Sequence, residues 1–537
     1  MERRLVSGDE AVAAAALDAG VHLGTGYPGT PSTEILENLS RLGGRAQWAP
    51  NEKVALEVGL GAAFGGARAL VTMKHVGVNV AADPLFTAAY TGVSGALVLV
   101  SADDPGMASS QNEQDNRNYA LAAGVPMLEP SDSQEAYDLT LQAFELSERF
   151  RLPVILRMTT RVCHGKSIVQ RRAPVAPRAP AFERDVAGRV MIPAYARPAH
   201  RKLRGKLAEL QAWTETTPLN VRVDGDRKLG LVTAGVAARH AREAVPGASF
   251  LELKTVYPLP LEKIRAFAAS VERCVVVEEG DPFLADRIRA AGIAVESKPE
   301  PFRFGELNVD RVRRILAGDL SPEPTLPKGR PPALCEACPY HPVFGAIRKL
   351  DCIVAGDIGC YTLGVAPPYQ GLDTCVAMGA SLGVGLGLRH VLPEKDAKRV
   401  ISLIGDSTFI HTGVNGLIEM VYNPPATGHV LLVLDNGTTA MTGQQEHPGT
   451  GRTLEHDATG KVSIEGLGRA VGVKNVDVVD PVDDPAGFEK LLADRLARPE
   501  LSMIVARRAC ILAAADIRKY EKAAADKCAA CAGEADA

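Results

Sequence analysis

The chain of 537 residues is long enough for roughly three or four domains at about 150 residues each. Its 60 basic and 64 acidic side chains leave a net charge of −4, which excludes a global basic field for nucleic acid or an anionic membrane. No stretch approaches the ~18 uninterrupted apolar residues of a membrane span, and MERRLVSGDEAVAAAAL reaches Asp9 and Glu10 before any run long enough for a signal peptide, so a cytoplasmic enzyme is expected.

Residues 1–170 alternate short apolar runs with helix-like stretches: VHLGTGYPG, the helix-like EKVALEVGLGAAFGGA, ALVTMKH, GALVLVSADDPG and LPVILRMTT. That alternation predicts a parallel α/β domain. From 171 to 206 the chain holds ten Lys or Arg, two acids and several prolines, so 171–227 reads as a solvated basic linker. A second, smaller α/β domain is expected over 228–325, from KLGLVTAGVAARHAREA through RCVVVEEGDPFLADRIRAAG. A third spans 331–512, with IVAGDIG, VISLIGDS, HVLLVLDN and MIVARRAC as strands, and an Ala-rich charged tail occupies 513–537.

Two strands of the third domain, about one helix apart, break off in small residues around an acid or an amide: Gly405-Asp406-Ser407 and Asp435-Asn436-Gly437. Parallel strands end at the edge where α/β folds hold ligands, and a carboxylate beside an amide oxygen suits a hard cation such as Mg²⁺. Two ordinary strand-to-helix turns, with Asp406 and Asn436 as helix caps, give the same letters. The Gly-Asp to Asn spacing resembles the thiamine diphosphate motif, which assigns the metal to Asp406, Asn436 and the Thr438 carbonyl, with Gly405 and Ser407 beside the diphosphate. A thiamine enzyme also needs a carboxylate from a different domain against the aminopyrimidine ring. Glu52, leading the helix PNEKVALEVGLGAAFGGARAL, matches the glutamate-led helix of thiamine pyrimidine domains; Glu57 is the alternative, and a helix N-terminus favours Glu52 in any case through the helix dipole.

YPGTPSTEIL, WAPNEKVALEV, VTMKHVGVNVAADPL, SADDPGMASSQNEQDNR, LEPSDSQEA, GDIGCYTLG, DTCVAMGAS, GDSTF, LDNGTTAMTGQQEHPGTG and ARRAC follow one another as in one family. Up to about residue 512 the sequence resembles the large (α) subunit of the indolepyruvate ferredoxin oxidoreductases, in the superfamily of thiamine diphosphate-dependent 2-oxoacid oxidoreductases. The resemblance implies a pyrimidine domain, a diphosphate domain and a domain like the transketolase C-terminal one between them. It places Thr30 at the active site, makes Arg117 a grip for the substrate carboxylate, a role an arginine fork suits, and offers His447 as an acid/base group.

The ten cysteines complete the pattern. Cys335-x-x-Cys338 alone is a zinc half-site, a redox dithiol or nothing, but with Cys360 and Cys510 it can complete a four-thiolate cage. The resemblance implies a [4Fe–4S] cluster there. Cys163, Cys274, Cys352 and Cys375 fit buried structural thiols better.

The implied activity is oxidative decarboxylation of an aryl 2-oxoacid to acyl-coenzyme A, with electrons passed to ferredoxin or another external acceptor. The implied partner is a small (β) subunit, two of each chain forming a heterotetramer. Two departures stand against a full match. CEACPYHP replaces the usual Cys-Pro-Gly-Cys-Pro-His, which changes Glu336, Ala337 and Tyr340 and shifts His341 by one, and the ferredoxin-like domain of about eight cysteines is represented only by Cys528 and Cys531. A non-oxidative thiamine decarboxylase and a non-catalytic assembly subunit are the rival readings.

Overall fold

The computed structural model describes residues 3–323 and 332–523; Cys528 and Cys531 lie outside the described residues. The chain forms two compact units, Met1–Pro324 and Thr325–Ala537. Both are α/β, as the sequence predicts. No helix among the described residues is long and apolar enough to cross a membrane.

The first unit is built on a seven-stranded sheet in the order Thr255–Tyr257, Met127–Leu128, Val154–Thr159, Ala96–Asp103, Arg68–Lys74, Leu23–Gly26, Ala46–Trp48. Every neighbouring pair is parallel except the first. Central strand Ala96–Asp103 is buried along its whole length, because helices cover both faces of a parallel sheet and leave no polar side for alternation. A second sheet carries Glu296–Ser297, Arg273–Val277, Asp226–Ala234, Ala248–Leu253 and the antiparallel edge Val221–Val223.

Two expectations change here. The stretch 171–227, expected as a linker, contains the 24-residue helix Pro193–Thr216 as well as the edge strand Val221–Val223. Leu203, Leu207, Leu210 and Thr214 recur at helical spacing and are buried, packing the helix on the unit while its basic residues face water. The region expected as a separate domain over 228–325 also gives a strand to its neighbour: Thr255 pairs with Leu128 and Tyr257 with Met127. Both regions therefore belong to one compact unit.

The second unit has one six-stranded, wholly parallel sheet in the order Thr374–Cys375, Ile353–Gly356, Val400–Gly405, His429–Asp435, Leu501–Arg507, Asn475–Val479. Strand His429–Asp435 shows why these runs are apolar throughout. Val430, Leu432 and Leu434 enter a core with Phe344, Ile347 and Phe488, whereas Leu431 and Val433 enter the opposite one with Leu382, Phe409 and Leu417. Each fully buried Leu contributes about 2 kcal/mol. The two strands that end in Gly405 and Asp435 are adjacent and in register, Gly405 opposite Leu434, so their ends form one edge.

Candidate active site

At that edge the expected metal residues come together. Asp406 is 3% exposed and Asn436 6%. Asp406 Oδ2 accepts the Gly437 N–H at 2.9 Å and Oδ1 accepts the Ser407 N–H at 2.9 Å, which ties one strand end to the other. Asn436 Oδ1 accepts the Thr438 N–H at 3.1 Å, and the Thr438 hydroxyl donates to the Gln445 carbonyl at 3.2 Å. Gly437, at φ +72°, makes the turn that gives its own N–H to Asp406 and the Thr438 N–H to Asn436. The Thr439 hydroxyl donates to Ser407 Oγ at 2.9 Å, fixing the loop after Asn436 on the helix that starts at Asp406. That helix runs into a π-helical turn, Phe409–Gly413. A buried carboxylate and an amide oxygen on neighbouring strand ends are hard donors of the kind Mg²⁺ takes, so the residues present fit the ion.

His447 stands at the same edge. Its Nε2 lies 3.2 Å from Asp406 Oδ2 but outside hydrogen-bonding geometry, while Nδ1 accepts the Gly449 N–H at 3.2 Å. The buried imidazole therefore keeps Nε2 without a hydrogen-bond partner among the described residues, beside the Asp406 carboxylate. The loop that carries it is held by Glu446, which takes Arg452 Nε and His456 Nδ1, each at 2.8 Å. These partners hold the Glu446 carboxyl down at about 2 against the raising effect of burial.

Cys335, Cys338, Cys360 and Cys510 gather beside the same edge. The Cys510 N–H donates to the Asn436 carbonyl at 2.9 Å, which joins the thiol group to the metal motif. Burial first, then the neighbouring thiols, pushes Cys338 and Cys360 up to about 11. Thiols so held are neutral until a cation takes the protons' place. His341 grips the Cys-x-x-Cys turn: one ring nitrogen meets the Cys335 carbonyl and the other the Tyr369 hydroxyl, both at 2.8 Å. Cys163 and Cys274 are fully buried elsewhere, Cys352 is half-buried and raised to about 12 by burial, and Cys375 is exposed rather than buried.

Asp357 went unnoticed in the sequence, and Tyr340 and Asp435 were named there without a role. Asp357, wholly buried, accepts the backbone N–H groups of Ile358, Gly379 and Ser381 and pins the loop bearing Cys360 to the next helix. Its signal was available, since IVAGDIG repeats the Gly-Asp strand ending of LIGDS. Tyr340 is raised well above an ordinary phenol by burial, then by Asp406, Cys360 and Cys338, so it sits among both groups. Asp435 is raised by burial and then by Asp406, with Arg507 Nε 2.6 Å away as its partner.

In the first unit, Glu52 is 5% exposed at the start of helix Glu52–Phe64, whose cap is Asn51 Oδ1 accepting the Val54 N–H. A Cβ on Gly77 would stand 2.7 Å from Glu52 Oε1, so glycine there is what admits the carboxylate. Glu57 faces solvent, paired with Lys53. Thr30 is half-buried in the loop after strand Leu23–Gly26, at the carboxyl edge of its sheet.

Arg117 corrects an expectation. It is 1% exposed, donates to Asp115 and to Glu278 Oε2 at 2.7 Å, and places its remaining N–H groups on the carbonyls of Glu279 and Asp281. Its fork is spent on the chain itself, and no face is offered to a substrate carboxylate. Arg157 is equally buried, on Asp103 and Glu129 at 2.7 Å each.

Residues 14–209 match the family described as pyruvate flavodoxin/ferredoxin oxidoreductase, thiamine diphosphate-binding, and residues 357–506 match the C-terminal thiamine pyrophosphate-binding domain of thiamine enzymes. The indolepyruvate oxidoreductase subunit IorA of Archaeoglobus fulgidus is 40% identical over 97% of this chain and 88% of its own length. Its counterpart of the same name in Methanothermobacter thermautotrophicus is 39% identical, over 99% and 90%. The chain belongs to this IorA family. As an IorA-family protein with both thiamine families present, it is a thiamine diphosphate-dependent 2-oxoacid oxidoreductase of the ferredoxin-linked class. In fold it is similar to the 2-oxoglutarate:ferredoxin oxidoreductase of Magnetococcus marinus, at a TM-score of 0.50 and 17% identity over 59% of this chain and 65% of that one.

Proposed function

We propose that this chain is the thiamine-bearing subunit of an enzyme that converts an aryl 2-oxoacid of the indolepyruvate type and coenzyme A to acyl-coenzyme A and CO₂. Two electrons leave for each turnover, through a [4Fe–4S] cluster on Cys335, Cys338, Cys360 and Cys510, to ferredoxin or another external acceptor. The observation that carries the reading is the Asn436 carbonyl accepting the Cys510 N–H, because it sets a four-thiol group against the metal motif. The relatives' names support the aryl substrate, and the word subunit in those names supports a second chain, here a small subunit in a two-plus-two heterotetramer.

Thiamine diphosphate, when bound, supplies the electron sink that lets the carboxylate carbon leave the ketone carbon. The residues do the rest. Asp406, Asn436 and the Thr438 carbonyl hold Mg²⁺ for the diphosphate, with Gly405 and Ser407 beside it. Glu52 holds a proton position against the aminopyrimidine nitrogen, and burial keeps water from competing for it. Thr30, at a strand's carboxyl edge, faces the substrate.

Calorimetry separates these roles. Asp406→Ala should abolish Mg²⁺-dependent thiamine diphosphate binding, while Glu52→Gln should bind the cofactor and lose turnover by about 10²–10⁴-fold, the usual yield of a positioned proton-transfer group. Unchanged cofactor affinity in Asp406→Ala would sink the assignment, and normal turnover in Glu52→Gln would remove Glu52 from it.

A further inference from the structure

Asp9 poses a question that thiamine chemistry leaves unanswered. It lies in the first turn of helix Gly8–Asp18, 1% exposed, and neither of its carboxylate oxygens meets a nitrogen or hydroxyl donor among the described residues; the Cys163 thiol, a weak donor, and the Glu34 carboxyl adjoin it. Its neighbour Glu10 is used up in the capping box with Ser7, so the local backbone is satisfied without Asp9. A buried carboxylate with no donor stronger than a thiol costs several kcal/mol unless it is neutralised or meets a cation. Around it stand Glu34, from the first turn of helix Thr33–Arg41, and His164, from the end of the short helix Thr160–His164. One ligand atom from each of the three lies within 4.8 Å of the other two.

We propose that Asp9, Glu34 and His164 form a binding site for a divalent transition-metal cation, with Zn²⁺ as its best match. Two carboxylate oxygens and one imidazole nitrogen are a donor set that Zn²⁺ accepts at about 2.0–2.2 Å, with water completing four-coordination. Three ligands come from three separate helices, so an ion there clamps elements that the sequence brings from residues 9, 34 and 164. The close packing needed is present: a Cβ on Gly8 would fall 2.1 Å from the Val162 carbonyl, which fixes the first helix against the short one. Burial holds the Asp9 carboxyl well above the usual carboxylate range, with the Cys163 thiol lowering it and the Glu34 and Glu10 carboxyls raising it.

The clamp reaches the catalytic loop. Glu34 sits one turn beyond Thr30, and the turn between them is closed by the Gly29 N–H on Thr33 Oγ1 and by the Ser32 hydroxyl on the Gly29 carbonyl, both at 3.0 Å. An ion on Glu34 therefore holds the strand-end loop of Thr30 to the first helix, remote from the Asp406 motif and from the four thiols in sequence and in chemistry.

The test is Zn²⁺ binding to the chelator-stripped full chain, followed by calorimetry and by metal analysis after dialysis. Zn²⁺ also suits the thiols, so the readout is the difference between proteins. Wild type should hold one more Zn²⁺ per chain than His164→Gln, and the affinity of this site should fall more than about 100-fold, beyond the loss from an outer-shell change. Because His164 is exposed, His164→Gln should melt at the wild-type temperature without metal and lose only the stabilisation that Zn²⁺ adds. Asp9→Asn should show the same loss of one ion; if that variant does not fold, His164→Gln carries the test. Equal zinc content and equal affinity in wild type and His164→Gln would overturn the proposal and leave Asp9 and Glu34 as carboxyls sharing a proton.

Discussion

Glu52 and Glu57 lie five residues apart on one helix, which turns them about 140° from each other, and the two faces have opposite fates. The sequence preferred Glu52 by its resemblance to the glutamate that leads the helix of thiamine pyrimidine domains, and Glu52 is the buried one of the two. What the sequence could not give was Gly77, whose missing side chain makes the space. Arg117 was misread for a related reason. In QNEQDNRN it stands in so polar a loop that burial has no local signature, and the acids that neutralise it include Glu278, far along the chain. The geometry assigns Arg117 to structure. Arg117→Ala leaves Asp115 with Arg157 3.8 Å away and Glu278 with the Leu284 and Ala285 N–H groups as remaining partners, and should destabilise the protein by about 3 kcal/mol. Lysine should restore only part of that, since it cannot reproduce the fork. Chemical denaturation checks this; a variant that unfolds like wild type but needs far more 2-oxoacid to saturate would return Arg117 to the substrate.

Strands were the most legible elements, because two-sided burial writes an unbroken apolar run such as HVLLVLD between turn residues. Helix Pro193–Thr216 was hidden by its lysines and arginines, which carry the count of charge but leave Leu203, Leu207 and Leu210 at the spacing of one face. Reading the period rather than the composition would have found it. The end of strand Arg273–Val277 makes a further testable point, since it delivers two acids, Glu278 and Glu279, into the interior. Burial raises Glu279 to about 7, and Arg157 and the Leu307 N–H offset only part of that. A carboxyl raised on folding binds its proton more tightly in the folded state. Its contribution is therefore fully present below about 4.5 and is lost as pH rises through about 7, a change on the order of 3 kcal/mol. Glu279→Gln fixes the neutral form, so the variant should gain on wild type as pH goes from 5 to 8, measured by urea unfolding at each pH. Parallel pH profiles for the two proteins would show that Glu279 carries no such burden.

At the scale of the whole molecule, the sequence showed the α/β class and the family, and both stand, whereas the three regions expected fold as two compact units. It did not show that residues 255–257 complete the sheet begun by the first 170, because an antiparallel two-residue pairing leaves no periodic trace. The thiols gather for a reason the order of the chain conceals: Cys360 and Cys510 follow the carboxyl ends of the parallel strands Ile353–Gly356 and Leu501–Arg507 at one edge, and Cys335 and Cys338 precede the helix His341–Lys349 that runs back to the start of the first of them. The account rests on that edge driving an oxidation rather than a simple decarboxylation. The direct test is anaerobic product analysis of the chain with its small subunit, indolepyruvate, coenzyme A and thiamine diphosphate, with and without a one-electron acceptor. The expected result is acyl-coenzyme A only when acceptor is present, two electrons transferred per acyl-coenzyme A, and loss of both in Cys338→Ser. Free aldehyde formed at the same rate without acceptor or coenzyme A, and unaffected by Cys338→Ser, would contradict it.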